Sequence, residues 1–137
     1  MTKGAWIIMI MMTLLIVASP FVFIYFINNG NPYTNYLADK YIPTYLAENG
    51  YTENDLYETH YIEPKYLINK DFYHGHYMVT FKDEQDIRYY YGVTKRGKHV
   101  KQFCEREKLL PSGVTEYAEG DTKHSEVECV NSLDNRD

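Results

Sequence analysis

Cys104 and Cys129 are the only thiols in this 137-residue chain, and with five histidines they are the side chains best suited to nucleophilic, redox or metal chemistry. An even thiol count in an oxidising compartment favours a disulfide, which would clip the weakly patterned end of the chain to its last strand. Zinc is a poorer reading: His124 and Glu126 lie near Cys129, but no C-x-x-C pair occurs. Two free buried thiols are the remaining alternative. A Cys–His nucleophile built from Cys104 with His99 or His124 exists only if that thiol is unpaired.

His74-Gly75-His76 is the sharpest local pattern. Residues i and i+2 of a strand point the same way, so the two imidazoles would be neighbours, and Met78 on the same face would add a soft ligand for copper. A firm site needs a third and usually a fourth ligand, so His74 and His76 are weak metal candidates beside the plainer reading of two solvated histidines on an open sheet face. Tyr89-Tyr90-Tyr91, with Tyr73 and Tyr77, offers aromatic surface for stacking on sugars or docking a peptide. One face of that sheet must pack against a helix, which leaves Tyr90 as the possible binding surface. The acidic runs Asp83-Glu84-Gln85-Asp86 and Glu126-Val127-Glu128 lack the twelve-residue calcium pattern and read as solvated turns. No G-x-S-x-G, H-E-x-x-H, phosphate loop or dinucleotide fingerprint occurs. The sequence therefore nominates no catalytic residue and no cofactor.

A helix and a sheet must position these side chains. Residues 29–33 form a turn-rich linker after an apolar segment over residues 1–28. Thr34 or Asn35 is expected to cap a helix in which Leu37, Tyr41, Ile42, Tyr45 and Leu46 make a buried stripe. Pro43 predicts a kink or break after Ile42, and Asn49-Gly50 predicts a left-handed stop. Beyond Gly50 the period becomes two. Strands are expected over Leu56 to Ile62, Tyr73 to Lys82, Ile87 to Val93 and His99 to Cys104. Tyr77, Val79 and Phe81 share one face with Tyr89 and Tyr91, while His74, His76, Met78 and Thr80 share the other. Gly97 stands where a tight hairpin wants a positive φ. The fold class is therefore α+β: a helix packed on a three- to four-stranded antiparallel meander over residues 34–110, a shape shared with cystatin-like and PepSY-like rolls. Pro111 to Thr122 is expected to be irregular, Glu126 to Val130 a short edge strand, and Asn131 to Asp137 mobile, so that 111–137 forms a tail clipped to the domain.

Ala5 to Ile27 contains no charged residue. A hydrocarbon core about 30 Å thick needs roughly 20 apolar residues in a helix, so residues 5–27 suit a lipid bilayer as partner. A cleaved signal has a shorter apolar region of about 7–15 residues, and Pro20 after Ala18-Ser19 fits a protease cleft poorly. A retained single-pass anchor is expected. Trp6 and Tyr25 suit the two headgroup boundaries. Lys3 precedes the run and the residues after it start uncharged, which orients the N-terminus to the cytoplasm and the domain to the exterior of the cell membrane. Asp and Glu number 19 against 14 Lys and Arg, for a net charge of −5. That balance argues against nucleic acid as a partner.

The stretches GYTENDL (Gly50–Leu56), FKDEQDIRYYYG (Phe81–Gly92), KHVKQFCE (Lys98–Glu105) and KHSEVECVNSLDNRD (Lys123–Asp137) resemble an uncharacterised family of small membrane-anchored proteins of Gram-positive spore-forming bacteria, the domain of unknown function 3139. The resemblance implies a bacterial domain outside the cytoplasm. It carries over no catalytic residue, because members have no assigned activity. The function expected from all of this is a non-enzymatic interaction domain, binding an envelope protein, a peptide or a wall component. Modulation or inhibition of an envelope protease is the alternative, by analogy of fold alone. A thiol- or metal-dependent enzyme comes third.

Overall fold

Thr2 opens the first helix, with its extended backbone and its hydroxyl accepting from the Ala5 N–H. The computed structural model describes the whole chain, Met1–Asp137, as two compact units, Met1–Pro32 and Tyr33–Asp137. The first unit is in essence helix α1 (Lys3–Asn29), which runs unbroken through Pro20. It is apolar around its whole circumference and buries none of its residues. By length and composition it is able to cross a membrane, a test that a signal sequence also passes. Gly30 ends it with φ of 72°.

Helix α2 (Pro32–Glu48) starts earlier than expected and shortens the linker to Gly30 and Asn31. Pro32 suits the first helical position, where its missing N–H is no loss. Thr34 does not cap; its hydroxyl turns inward to the Tyr61 hydroxyl at 2.7 Å. The helix also does not break at Pro43. Leu37, Ala38, Ile42 and Leu46 are buried on both sides of the proline, so packing of the stripe holds the helix through one missing hydrogen bond. The stop is where the sequence puts it: Gly50 has φ of 90°, and the Tyr51 N–H returns to the Leu46 carbonyl at 3.0 Å.

Six antiparallel strands follow: β1 (Leu56–Ile62), β2 (His76–Phe81), β3 (Glu84–Val93), β4 (Val100–Gln102), β5 (Glu107–Leu109) and β6 (Thr115–Tyr117). The expected α+β meander is present as β1 to β4, but the sheet is larger than three or four strands. β3 is long enough to pair β2 along one edge and, along the other, β4 through Tyr91–Val93 and β5 through Ile87–Arg88. β6 folds back on β5, so the stretch expected to be irregular after Pro111 contains a strand. The polar connection over Asp83 to Asp86 contracts to Lys82-Asp83, and Glu84 already pairs with Phe81. Gly97 has the positive φ expected of it, 80°.

The two faces of the sheet carry two cores. On the first, Tyr77, Val79, Phe81, Tyr89 and Tyr91 meet Ala38, Ile42 and Leu46 of α2. On the second, Met78, Tyr90 and Phe103 meet Ile68 and Phe72 of the crossing between β1 and β2. Every residue of β2 is buried in consequence. Gly92 admits the second core to the sheet: a Cβ there would lie 2.5 Å from the Phe103 ring and 2.9 Å from Phe72.

The last segment is docked rather than mobile. The Asn69 N–H donates to the Ser132 carbonyl at 2.7 Å and the Lys70 N–H to that of Asn135 at 3.1 Å. Ser132 is 2 % exposed, and its N–H reaches both Glu105 oxygens at 3.1 Å. Of the expected edge strand over Glu126 to Val130, one parallel bridge from Val130 to Phe103 forms. Gly92→Ala is expected to destabilise the protein by about 1–3 kcal/mol through overpacking, read as a lower denaturation midpoint at unchanged slope.

Candidate functional site

The residues nominated for chemistry are dispersed into structural tasks. Cys104 and Cys129 form a disulfide, with Cα atoms 5.0 Å apart. That pairing removes the thiol from any nucleophile with His99 or His124. The histidines of His74-Gly75-His76 do different work, because β2 begins at His76 and the alternation that would align them does not extend back to His74. His74 stays half-exposed, with Nε2 2.9 Å from the Tyr66 carbonyl and Nδ1 3.5 Å from Glu63. His76 is buried between the rings of Tyr90 and Phe103, with centroids at 5.6 and 4.7 Å. The picture of two solvated imidazoles on an open face is corrected for His76. Gly75 serves packing as well: a Cβ would meet the Tyr61 hydroxyl at 2.6 Å.

Tyr90 is likewise no exposed platform. It is 9 % exposed, and its hydroxyl donates to Glu107 Oε2 at 2.8 Å. Sequence periodicity assigned it to the second face correctly, but took that face to be open. The segments that cover it, residues 63–75 and 130–136, carry no period that announces a cover.

The second face is incompletely covered, and the gap is a cleft of about 600 Å³. His76, Tyr90 and Phe103 form its floor, with Ile62, Tyr66 and Tyr117 around them. Tyr66 and Tyr117 stand at its mouth, 53 % and 69 % exposed. Strand register sets one wall: Arg88 lies opposite Glu107, and Glu107 opposite Tyr117, so all three share the face of Tyr90. The docked tail sets the other wall with Ser132, Leu133 and Arg136, and Glu105 holds the Ser132 N–H between them. The size and the mixture of aromatic floor and few polar groups are those of a small-ligand site.

The electrostatics of the cleft are uneven. Both carboxylates have partners, Glu107 in the Tyr90 hydroxyl and Glu105 in the Ser132 N–H. Neither Arg88 nor Arg136 has a carboxylate within 4.0 Å. His76 Nε2 is buried without a partner. Burial, and then the neighbouring His74, push the His76 pKa down to about 4, so the ring is neutral at pH 7. Burial first and Glu107 second raise the Tyr90 pKa, which keeps its hydroxyl a donor. Burial, followed by the fields of Tyr117, Glu107 and Glu105, also raises that of Tyr66.

The tail that completes this cleft is held by a polar latch on the first face. Gln102 is fully buried. Its Nε2 donates to the Tyr91 hydroxyl at 3.0 Å and to the His124 carbonyl at 2.9 Å, and its Oε1 accepts from the Glu126 N–H at 2.8 Å. His124 stacks on Phe81 at 3.8 Å, with Nδ1 2.9 Å from the Tyr51 hydroxyl and Nε2 2.8 Å from Asp83. The bond to His124 is the leading cause that holds the Asp83 carboxyl below the usual carboxylate range. Glu126, read as part of a solvated turn, accepts from the Tyr45 hydroxyl at 2.8 Å.

Residues 2–91 match the model of a family described as protein of unknown function (DUF3139). The chain belongs to that family. The DUF3139 match spans α1, α2, β1, β2 and β3 as far as Tyr91, and therefore includes His76, Arg88 and Tyr90 of the cleft. No curated protein and no solved structure matches the chain.

Two measurements follow from this geometry. Above about pH 6.5, the ordinary imidazole value, His76 is neutral folded and unfolded. As pH falls, the unfolded chain takes a proton that the folded chain refuses until about pH 4. Stability should therefore fall by about 3 kcal/mol across that window on account of this ring, and His76→Phe should flatten that part of the pH profile in denaturant titrations. For the tail, the double variant Cys104→Ser/Cys129→Ser opens a loop of sequence separation 25. It is expected to lose about 3 kcal/mol, measured by urea unfolding against the oxidised protein.

Proposed function

We propose that the chain is a single-pass membrane protein whose domain stands outside the cytoplasm and works as a binding module rather than an enzyme. The observation that carries the reading is the cleft: an aromatic floor, a built rim and unpaired guanidiniums in a site of ligand size. The potentially nucleophilic and acid–base groups nearest to it are committed elsewhere. Cys104 is in the disulfide, Glu107 and Glu105 are hydrogen-bonded, and His76 has no carboxylate to orient it. The exterior placement is supported by α1, whose uncharged run follows Lys3, and by the cysteine pairing, which persists in oxidising compartments. The acidic balance suits a domain held off an anionic bilayer surface. The partner is an envelope protein, a peptide or a wall component in a bacterial setting.

Two readouts test the reading. Proteinase K added to intact cells should remove the domain and leave the anchor, and the protein extracted from untreated membranes should keep its full mass of 16.2 kDa. A protected domain, or a mature chain that starts beyond residue 19, refutes the topology. A photocrosslinking residue at Tyr117, on the mouth of the cleft, should give a saturable adduct in membranes, whereas the same residue at the exposed Tyr57 on β1 should not. Equal labelling at the two positions removes the cleft as the binding face.

A further inference from the structure

We infer that the cleft is a carboxylate site: it receives a carboxylate carried next to an apolar or aromatic side chain, such as the C-terminal end of a peptide. The inference rests on the cleft being the binding face and adds what it binds. The charged groups of the cleft supply the first argument. Arg88 and Glu107 are direct cross-strand partners, an arrangement that ordinarily pairs them. Here the Tyr90 hydroxyl takes the carboxylate at 2.8 Å, and the guanidinium is left half-buried with no ion pair. Arg136 lines the same cleft from the docked tail, also without an ion pair. A guanidinium presents a planar fork that matches a carboxylate with two parallel hydrogen bonds.

The carboxylates decide the charge of the ligand. Glu105 and Glu107 face the same space as the two arginines. A monoanion can lie against Arg88 at tolerable repulsion, whereas a phosphate dianion would meet two like charges on the same rim. The floor decides the rest. Phe103, Tyr90 and the neutral His76 ring, with Ile62 and Leu133 beside them, form an apolar surface that suits an apolar or aromatic side chain. His76 Nε2, buried with no partner, provides one hydrogen-bonding group next to that surface, where an amide of the ligand would satisfy it. An exposed carboxylate with a buried side chain and an amide behind it is the chemistry of a peptide end, and of an N-acylated amino acid.

The test uses the full chain in nanodiscs of phosphatidylcholine, with empty nanodiscs as the partition control. Acetyl-alanyl-alanyl-phenylalanine and acetyl-phenylalanine, each as free acid and as amide, are titrated with phenyl phosphate as a fifth probe and saturation-transfer NMR as the readout. The free acids should bind with a Kd of about 1 mM or tighter, and each amide at least roughly tenfold more weakly. Arg88→Gln should remove the preference for acid over amide, while Lys108→Gln, on the exposed side of β5, should keep it. Arg136→Gln provides a second variant on the tail should Arg88→Gln unfold, and it should weaken the acids alone. A tripeptide acid tighter than acetyl-phenylalanine identifies a peptide end; equal affinities identify a small acid of the same chemistry. Equal binding of acid and amide, tighter binding of phenyl phosphate, or no binding by the acids at about 10 mM overturns the inference. If crosslinking at Tyr117 still gives its saturable adduct in that case, the binding face stands and the carboxylate assignment alone fails.

Discussion

A six-residue strand buried along its whole length has to be covered twice, and that constraint organises the domain. β2 sits between β1 and β3 with Tyr77, Val79 and Phe81 on one side and His76, Met78 and Thr80 on the other, all of them buried. One cover is ordinary: an amphipathic helix, α2, lays Ala38, Ile42 and Leu46 on the first face. Within Tyr33–Asp137 there is no further α-helix for the other face. It uses two irregular segments, the crossing that contributes Ile68 and Phe72 and the tail that contributes Val130 and Leu133. Irregular segments bury few apolar groups, so the burial term that holds a helix is small for them. Backbone hydrogen bonds between the two segments, the Glu105 clasp on Ser132 and the disulfide take its place.

That substitution explains the unusual composition. Of the fifteen tyrosines, Tyr77, Tyr89, Tyr90 and Tyr91 are buried core residues, and several others act as fasteners, because a tyrosine couples a large apolar ring to a donor at its rim. Tyr45, Tyr89 and Tyr90 all send their hydroxyls to glutamates: Glu126, Glu84 and Glu107. In each case burial first and the carboxylate second push the pKa up, to about 12 for Tyr89, so the phenols remain protonated donors. Hydrogen bonds to charged acceptors are worth about 1.5–3 kcal/mol, more than neutral ones; those of Tyr45 and Tyr90 join separate elements, and that of Tyr89 stays within β3. The acidic residues therefore do more than solvate the surface. Four of them, Glu84, Glu105, Glu107 and Glu126, are acceptors that fix the tail and the walls of the cleft.

Periodicity made the first cover legible and hid the second. The stripe over Leu37 to Leu46, the strand over Leu56 to Ile62, the tyrosine face of β3 and the positive φ at Gly97 are all local signals, and the structure keeps them. Of the kink or break expected at Pro43, the break does not occur, because tertiary packing on both sides outweighs one lost hydrogen bond. β5 and β6 are three-residue strands without an apolar alternation, stabilised only by their neighbours, so no local pattern marks them. His76 and Tyr90 were assigned to the correct face with the wrong environment, since alternation states which residues share a side and says nothing of what lies over it. The cysteine pairing was within reach of counting; the latch through Gln102, which decides where the tail goes, was not.

The cleft is a consequence of that second cover rather than an addition to it. A helix laid on the second face would have filled the space above Tyr90 and Phe103 with side chains. Two irregular segments meeting edge to edge leave a seam, and the residues that line the seam are those the fasteners use. Glu107 accepts from Tyr90, and its cross-strand neighbour Arg88 has no ion pair and keeps its charge beside an apolar floor. An unpaired half-buried guanidinium is a standing electrostatic cost, and a protein of this size has little stability to set against such costs. The cleft therefore holds two guanidiniums without ion pairs beside two carboxylates that are hydrogen-bonded to other groups. The seam on the second face and the proposed capacity to bind there thus have one origin, a face covered by irregular segments instead of a helix.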